Sequence, residues 1–447
     1  MKTEILIIGS GPSGSSVAYK CAEAGKKVVV VDSLFGGVCA LRGCTPKKAM
    51  ESITTTFWEA KKMEKAGFPS SSKYVDWHKL VAHQAKFTAM VPAKTKAKFE
   101  TAGIKCITGV ASFEDSHTVL VNDKKITADK IIIATGAQPR PLNIPGEAYL
   151  ITNDGFFSLD KLPEKIVIVG GGYIAFELSH IMAACAAKVT ILGNEEQALG
   201  AFDSELVNDL VYATLDKGVD VKLGYEVEKI IKKNNEFEVS AKRTDGQDFA
   251  FEADLVIHAA GRVPNIAKLK VDKIGLTLND KNGIEVTKFL QTKKHEHIFA
   301  LGDATGQLPF TEVANYEAKI VINNILEKRR KSVDYSGVPY GVFTHPKLAM
   351  VGKSEQELKD AKIKYDVKTE TINHDFIQRT KLNKYARYKT LVDKKTRKIL
   401  GASMLAYGAD EIINLYSLAI QNEMTADELN DIFLLYPTAG HVVKFLF

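Results

Sequence analysis

Glu4-Ile5-Leu6-Ile7-Ile8-Gly9-Ser10-Gly11-Pro12-Ser13-Gly14 is an apolar strand running into a glycine-rich turn, which opens a helix through Ala24. A second strand spans Lys27 to Val31 and ends on Asp32, 18 residues past the third glycine. Strand, tight turn, helix and strand is the context that gives G-x-G-x-x-G its meaning. The glycines let the backbone approach a pyrophosphate at the helix N-terminus, and the acid can hold a ribose hydroxyl. A plain βαβ unit without a ligand is the alternative.

The pattern recurs after Pro163. Lys165 to Val169 is a strand, Gly170-Gly171-Gly172-Tyr173-Ile174-Ala175 opens a helix carrying Glu177, and Lys188 to Leu192 is the next strand. Ala175 takes the third glycine position, which the motif allows. Two dinucleotide signatures in one chain point to two nucleotides and a redox relay. The second strand ends on Gly193 and Asn194 rather than on an acid, and no arginine lies between Glu195 and Gly200 to grip a 2′-phosphate, so NADH and NADPH both remain open.

Between the two signatures stands Gly36-Gly37-Val38-Cys39-Ala40-Leu41-Arg42-Gly43-Cys44-Thr45-Pro46-Lys47-Lys48. Cysteines five positions apart on a helix lie about a turn and a half from each other, so bridging them needs local distortion. A strained disulfide is easily reduced, which favours a reactive pair over a staple. Lys47 and Lys48 put positive charge where a thiolate needs it. Two reduced cysteines on an ordinary helix, with solvated lysines beside them, are the plainer reading. Cys21, Cys106 and Cys185 stand apart and read as small buried hydrophobes. No second cysteine or histidine pair offers metal-ligand spacing, so no metal is expected.

Elsewhere, Ala49 to Thr101 reads as mainly helical around a polar loop at Ser70 to Lys73. Strands follow over Lys105 to Phe113, Thr118 to Val121 and Lys130 to Ala134, the last ending in Thr135-Gly136-Ala137-Gln138-Pro139. Leu255 to Ala260 runs into Gly261-Arg262, and Ile298 to Ala304 reads as a strand ending on Gly302-Asp303. From about Tyr335 the texture turns α+β, with strands at Gly341 to Thr344, Tyr385 to Val392 and Ile399 to Met404, then a helix over Ala409 to Gln421.

With 447 residues the chain exceeds one core and asks for two or three domains. A net charge of +6, scattered rather than striped, argues against a nucleic-acid partner. No apolar run is long enough for a bilayer, and the N-terminus enters a strand rather than a signal peptide, so a cytoplasmic protein is expected.

Together these motifs resemble, across essentially the whole chain, the two-cysteine flavoprotein disulfide reductases such as glutathione reductase, lipoamide dehydrogenase and mercuric reductase. The resemblance implies an α/β fold of two nested Rossmann-like domains, binding FAD and NAD(P)H, plus a C-terminal α+β dimerisation domain. The implied division is 1–147 and 266–333 for FAD, 148–265 for NAD(P)H and 334–447 for a homodimer interface. Gly9, Gly11, Pro12, Ser13, Gly14 and Asp32 fall on FAD-binding positions, and Asp303 on the contact to the ribityl chain. Gly37, Val38, Lys48, Ala134, Thr135, Gly136, Gly261, Arg262 and Gly302 are also implied cofactor contacts. Gly170, Gly172, Ile174 and Ala175 fall on the NAD(P)H turn, with Tyr173 covering the flavin face. Glu177 would pair with Lys47 or Lys48; capping or solvating its helix is the plainer reading. By analogy Cys44, nearer the flavin, is the charge-transfer thiolate and Cys39 attacks the substrate, which asks for a low thiolate pKa at Cys39.

The chain departs from the family at Leu435-Tyr436-Pro437-Thr438-Ala439-Gly440-His441. Tyr436 stands where the acid/base histidine is expected, and His441 where its glutamate is. A phenol is a poor base at neutral pH. Tyr436 as an interface aromatic and His441 as a solvated residue are the plainer readings. Three functions follow. The first is an FAD-dependent NAD(P)H oxidoreductase with a Cys39–Cys44 disulfide, acting on a disulfide, a metal ion or another thiol-reactive acceptor. The second is a cysteine-independent transhydrogenase, diaphorase or quinone reductase. The third is a flavin-bearing binding protein.

Overall fold

A computed structural model describes residues 1–327 and 330–447, and among them no helix is long and apolar enough to cross a membrane. The chain forms two compact units. One comprises Met1–Lys47, Ala82–Pro141 and Gly261–Tyr335; the other comprises Lys48–Val81, Leu142–Ala260 and Ser336–Phe447.

The first unit is built on a seven-stranded sheet. Its strands run in the order Lys105–Thr108, Val28–Asp32, Lys2–Ile8, Lys124–Ile133, Thr118–Val121 and Ala111–Phe113, and Ile298–Ala300 pairs with Lys124–Ile133. The central strands are parallel, with Ile7 opposite both Val30 and Ile132. Parallel strands covered on both faces read as continuous apolar runs, and here odd and even positions feed two cores. Leu6, Ile8, Val29 and Val31 enter one. Ile5, Ile7, Val28 and Val30 enter the other, where Val17, Ala18 and Cys21 of helix Pro12–Glu23 cover them. Of the isolated cysteines, Cys21 is fully buried, and its thiol is pushed up to about 11 by that burial; Cys106 and Cys185 are half-buried.

The second unit holds a parallel sheet in the order Asp220–Leu223, Lys188–Gly193, Lys165–Val169 and Leu255–His258. A three-stranded antiparallel sheet spans Tyr225–Lys233, Glu236–Arg243 and Asp248–Ala253. A five-stranded sheet runs Pro339–Val342, Lys347–Gly352, Ile399–Ala406, Arg387–Asp393 and Tyr365–Thr371. Helix Ala409–Gln421 buries Ile412, Ile413, Tyr416 and Ala419 at helical spacing in the core beside it.

Three sequence expectations change. Lys105 to Phe113 is two strands, broken at Gly109. The strand expected to reach Ala304 stops at Ala300, because Gly302 takes φ +63 and starts the 3-10 turn Gly302–Thr305, which carries Asp303. The C-terminal sheet contains two strands absent from the sequence reading, Lys347–Gly352 and Tyr365–Thr371.

Candidate functional site

The first glycine turn is shaped by its neighbours. Gly9 adopts φ +108, and a Cβ there would lie 2.2 Å from the Ala134 carbonyl oxygen. A Cβ on Gly14 would lie 2.1 Å from the Gly9 carbonyl oxygen, so helix and strand meet backbone to backbone. Helix Pro12–Glu23 has Pro12 in its first turn and no side-chain cap at Gly11, which leaves its N-terminal N–H groups for an anion. Ser10 connects this turn to the cysteine segment. Its backbone N–H and its hydroxyl both donate to Asp32 Oδ2 at 2.7 Å, while its oxygen accepts from Gly36 N at 2.9 Å.

Next to the turn, the buried Thr135 Oγ1 has no hydrogen-bond partner. Asp303 is half-buried, and burial raises its carboxyl against the lowering effect of the Arg262 charge. Arg262 itself donates to the Ala137 carbonyl. An orphaned hydroxyl, an uncapped helix start and a half-buried acid around two glycine cradles fit the adenine dinucleotide that the sequence implies.

The cysteine segment is two helices, Gly37–Arg42 and Cys44–Met63, separated by Gly43 at φ −129 and ψ −112. That break is the distortion the spacing required. It brings the thiols within hydrogen-bonding reach of each other, with Cys39 half-buried and Cys44 exposed. Thr311, the first residue of helix Thr311–Leu326, donates from Oγ1 to Cys39 Sγ at 3.1 Å and lies 3.6 Å from Cys44 Sγ.

The Cys39 thiol is held well above its ordinary value, first by its hydrogen bond to Cys44 and then by burial; Thr311 acts the other way. The low pKa expected at Cys39 is therefore not what the reduced pair displays. Adjacent sulfurs share a proton, and removing the last one would set two anions in contact. Thr311 was missed in the sequence because a threonine opening a helix reads as a cap. Here Phe310 is the N-cap residue, and the Thr311 side chain reaches the sulfurs instead.

Behind Asp303 lies a second acid that the sequence reading passed over. Glu317 is 1% exposed; its Oε2 accepts from Gly302 N and its Oε1 from the Tyr335 hydroxyl, both at 2.5 Å. Burial pushes its carboxyl up to about 7.

In the second unit, Gly170 at φ +120 repeats the first turn, and a Cβ there would lie 2.3 Å from the Ala259 carbonyl oxygen. Helix Tyr173–Ala184 starts at Gly172 without a side-chain cap. At Gly193, where an acid was sought, a Cβ would come within 3.1 Å of Leu223 and 3.3 Å of Gly171 Cα, so close packing of strand on turn explains the glycine. Tyr173 is 44% exposed at the helix start.

Glu177 is buried and accepts from Phe343 N at 2.8 Å. The Lys48 ammonium sits 4.3 Å from the centre of the Phe343 ring and pairs with Glu51 at 2.8 Å. Lys48 and Glu177 thus both contact Phe343, one at its ring and the other at its backbone N–H. The structure places Lys47 in the first unit and Lys48 in the second. Tyr436 is 67% exposed, with its ring centre 5.1 Å from that of His441.

The second unit also has an open pocket of about 460 Å³ whose lining includes Glu59, Lys62, His345, Lys347 and Asp410. His345 pairs with Glu59 Oε1 through Nε2 at 2.6 Å. Burial pushes His345 down to about 4, so near neutrality it is an uncharged donor to the Glu59 carboxylate. Its place in the core answers the open reading of this histidine as surface or interior.

Residues 3–318 match the family described as pyridine nucleotide-disulphide oxidoreductase, and residues 338–445 match its dimerisation domain. The chain is 32% identical over 447 residues to a mercuric reductase of Staphylococcus aureus, covering 99% of this chain and 81% of that protein. It is 30% identical over 455 residues to a dihydrolipoyl dehydrogenase of Staphylococcus aureus, covering 99% and 95%. Among solved structures it matches the HOCl-induced flavoprotein disulfide reductase RclA from Escherichia coli with a TM-score of 0.88 and 27% identity, over 99% of each chain. The Cu(II) complex of that protein matches with a TM-score of 0.89, also at 27% identity, over 100% of this chain and 99% of the other. The chain belongs to the pyridine nucleotide-disulphide oxidoreductase family, FAD-dependent enzymes that use NAD(P)H.

Proposed function

We propose that this enzyme passes electrons from NAD(P)H through the Cys39–Cys44 pair to a soft, thiol-reactive metal ion. The observation that carries the reading is the dithiol: two sulfurs in mutual contact, one exposed, both beside a single hydroxyl. FAD, when bound, takes two electrons from NAD(P)H and releases them to an acceptor. The chain's residues do the rest. Ser10, Asp32, Thr135 and the start of helix Pro12–Glu23 would hold the adenine dinucleotide, with Asp303 toward its sugar alcohols. The turn at Gly170, Gly172 and Ala175 would hold the nicotinamide dinucleotide. The helix break at Gly43 brings the two sulfurs together, as opening and closing a disulfide requires.

Position 436 favours a metal over a disulfide as acceptor. Cleaving an external disulfide expels a thiolate that needs a proton, and a phenol delivers and retrieves protons poorly at neutral pH. A soft cation binds thiolate sulfur and takes electrons with no leaving group to protonate. Two electrons per NAD(P)H reduce one Hg(II), or two Cu(II) in turn. The relatives, a mercuric reductase and a flavoprotein disulfide reductase solved as its Cu(II) complex, support the same class.

The test has two steps. Anaerobic titration of the holoenzyme with NADH and with NADPH should consume two equivalents, and free thiols should rise by two. Steady-state NAD(P)H oxidation should then be faster with Cu(II) or Hg(II) than with oxidised glutathione or lipoamide, and Cys44→Ser should abolish it. Uptake of one equivalent, with full activity in the serine variant, would sink the reading and promote a cysteine-independent transhydrogenase or quinone reductase.

A further inference from the structure

The turn at Gly170, Gly171 and Gly172 is covered by the loop that follows the next strand. Gly170 N donates to the Leu192 carbonyl at 2.7 Å and Leu199 N to the Gly171 carbonyl at 3.1 Å, so residues 193–199 fold back onto the turn. In that loop Asn194, Glu195, Glu196 and Gln197 are exposed, while Ala198 and Leu199 are buried. Strand Lys188–Gly193 lies between the parallel strands Lys165–Val169 and Asp220–Leu223, and the loop leaves it at the same sheet edge as the glycine turn. In an open parallel sheet that edge holds a dinucleotide, and residues past the second strand meet the adenosine ribose.

The strand end itself offers no side chain to a ribose. Gly193 is buried and packs against Gly171 Cα and Leu223. The acid comes instead from the loop, three residues on, and it is fixed from outside the loop. Glu196 Oε1 accepts from the Thr244 hydroxyl at 2.6 Å, across 48 positions of sequence. Thr244 N donates to the Gly224 carbonyl and Gly224 N to the Glu195 carbonyl, each at 2.9 Å, which ties both ends of that contact to one backbone. A Cβ on Gly224 would lie 3.1 Å from Glu196 Oε1, so the glycine leaves room for the carboxylate. The cations of the flanking segments are engaged elsewhere: Lys222 pairs with Asp220, and Arg243 with Asp245. Among the described residues no cation pairs with Glu196, and its Oε2 is left for a ligand.

We propose that Glu196 selects NADH over NADPH: its Oε2 accepts from the adenosine 2′-hydroxyl, and its charge repels a 2′-phosphate. Thr244 is the positioning residue that holds the carboxylate in place. The inference rests on the reading of Gly170, Gly172 and Ala175 as the nicotinamide dinucleotide turn and is independent of the electron acceptor. A carboxylate about 5 Å across water from a phosphate of charge about −2 weakens binding about tenfold.

The test is calorimetric titration of the oxidised holoenzyme with NAD+ and with NADP+, neither of which can reduce it. Wild type should hold NAD+ tighter by about tenfold or more. Glu196→Gln should narrow that ratio about tenfold, and Glu196→Lys should invert it. Thr244→Val frees the carboxylate without removing it and should narrow the ratio less than Glu196→Gln does. Glu252→Gln controls for net charge, because Glu252 pairs with Lys165 at 3.2 Å, at the opposite edge of the sheet, and it should leave the ratio unchanged. Added salt should shrink the wild-type ratio and leave that of Glu196→Gln constant, since screening acts on repulsion between exposed charges.

Wild type holding NADP+ as tightly as NAD+ overturns the proposal. So does a ratio in Glu196→Gln that matches wild type, or one that moves no further than in Glu252→Gln. Wild type binding neither nucleotide overturns the reading of the turn, and this inference with it. The two failures are distinct because only the second abolishes binding of both.

Discussion

Replacing Glu317 with glutamine should change how stability depends on pH, with a sign set by burial. The carboxyl is 1% exposed between Gly302 N and the Tyr335 hydroxyl, and burial pushes it from its ordinary 4.5 to about 7. Between those values the unfolded chain has lost this proton and the folded chain has kept it. Stability supplied by the group is thus complete below about pH 4.5 and is lost as pH rises to about 7. The gap of about 2.5 pH units, at about 1.4 kcal/mol each, amounts to about 3 kcal/mol.

Glutamine keeps an acceptor for Gly302 N and carries no titration. The two proteins should melt alike at pH 5, and Glu317→Gln should melt higher at pH 8, by several degrees on the usual scaling for large domains. Scanning calorimetry at pH 5, 6, 7 and 8, on proteins with equal FAD content, reads the difference directly, because groups common to both cancel. A constant offset across that range would show that burial does not govern this carboxyl. A glutamine variant that loses ground as pH rises would show that the Gly302 and Tyr335 bonds favour the charged form.

Three further outcomes follow from other positions. Gly14→Ala sets a Cβ 2.1 Å from the Gly9 carbonyl oxygen, so the protein should purify with little FAD, measured from its visible absorption against protein content; full occupancy would contradict the backbone contact. His345 behaves oppositely to Glu317: its folded value lies near 4 because of burial, below the ordinary 6.5, so stability falls as pH drops through that window, by about 3 kcal/mol at its end. His345→Gln should therefore differ most from wild type near pH 4 and least near pH 7, and calorimetry showing the reverse would refute the sign. Gly43→Ala would bring a Cβ to 3.0 Å from the Val38 carbonyl oxygen and 3.3 Å from Cys39 Cα, so it should slow disulfide formation in a glutathione buffer severalfold; unchanged kinetics would mean that the helix break does not hold the sulfurs in place.

What the sequence exposed was whatever had a local cause. Both glycine turns were legible because a strand end, a left-handed residue and a helix start leave a pattern within a dozen positions. Helix Ala409–Gln421 was legible to its ends through its apolar spacing. Strand Tyr365–Thr371 was not: most of it faces water, its sequence is largely polar, and only its ladder with Arg387–Asp393 makes it a strand. Lys347–Gly352 failed for the opposite reason. Four of its residues are buried in a row in the middle of the sheet, so it carries no alternation. Thr311 and Glu317 were invisible because their importance lies in distant partners: a cysteine at position 39, and a hydroxyl at 335 that meets the acid where the first unit ends.

In the proposed cycle electrons reach the Cys39–Cys44 pair, and position 436 bears on where they go next. Ile432 to Tyr436 is an uncharged run in which Phe433 is wholly exposed, Leu435 77% and Tyr436 67%. Surface of that kind is poorly suited to water and well suited to a subunit interface, and it falls inside the dimerisation-domain match at 338–445. A histidine in such a place could move protons for a leaving thiol. A tyrosine beside a histidine ring can donate a hydrogen bond but cycles a proton poorly. With a tyrosine at 436, the reduced pair of the proposed cycle matches an acceptor that needs only electrons and sulfur, so the metal-ion proposal depends on residue 436 as much as on residues 39 and 44.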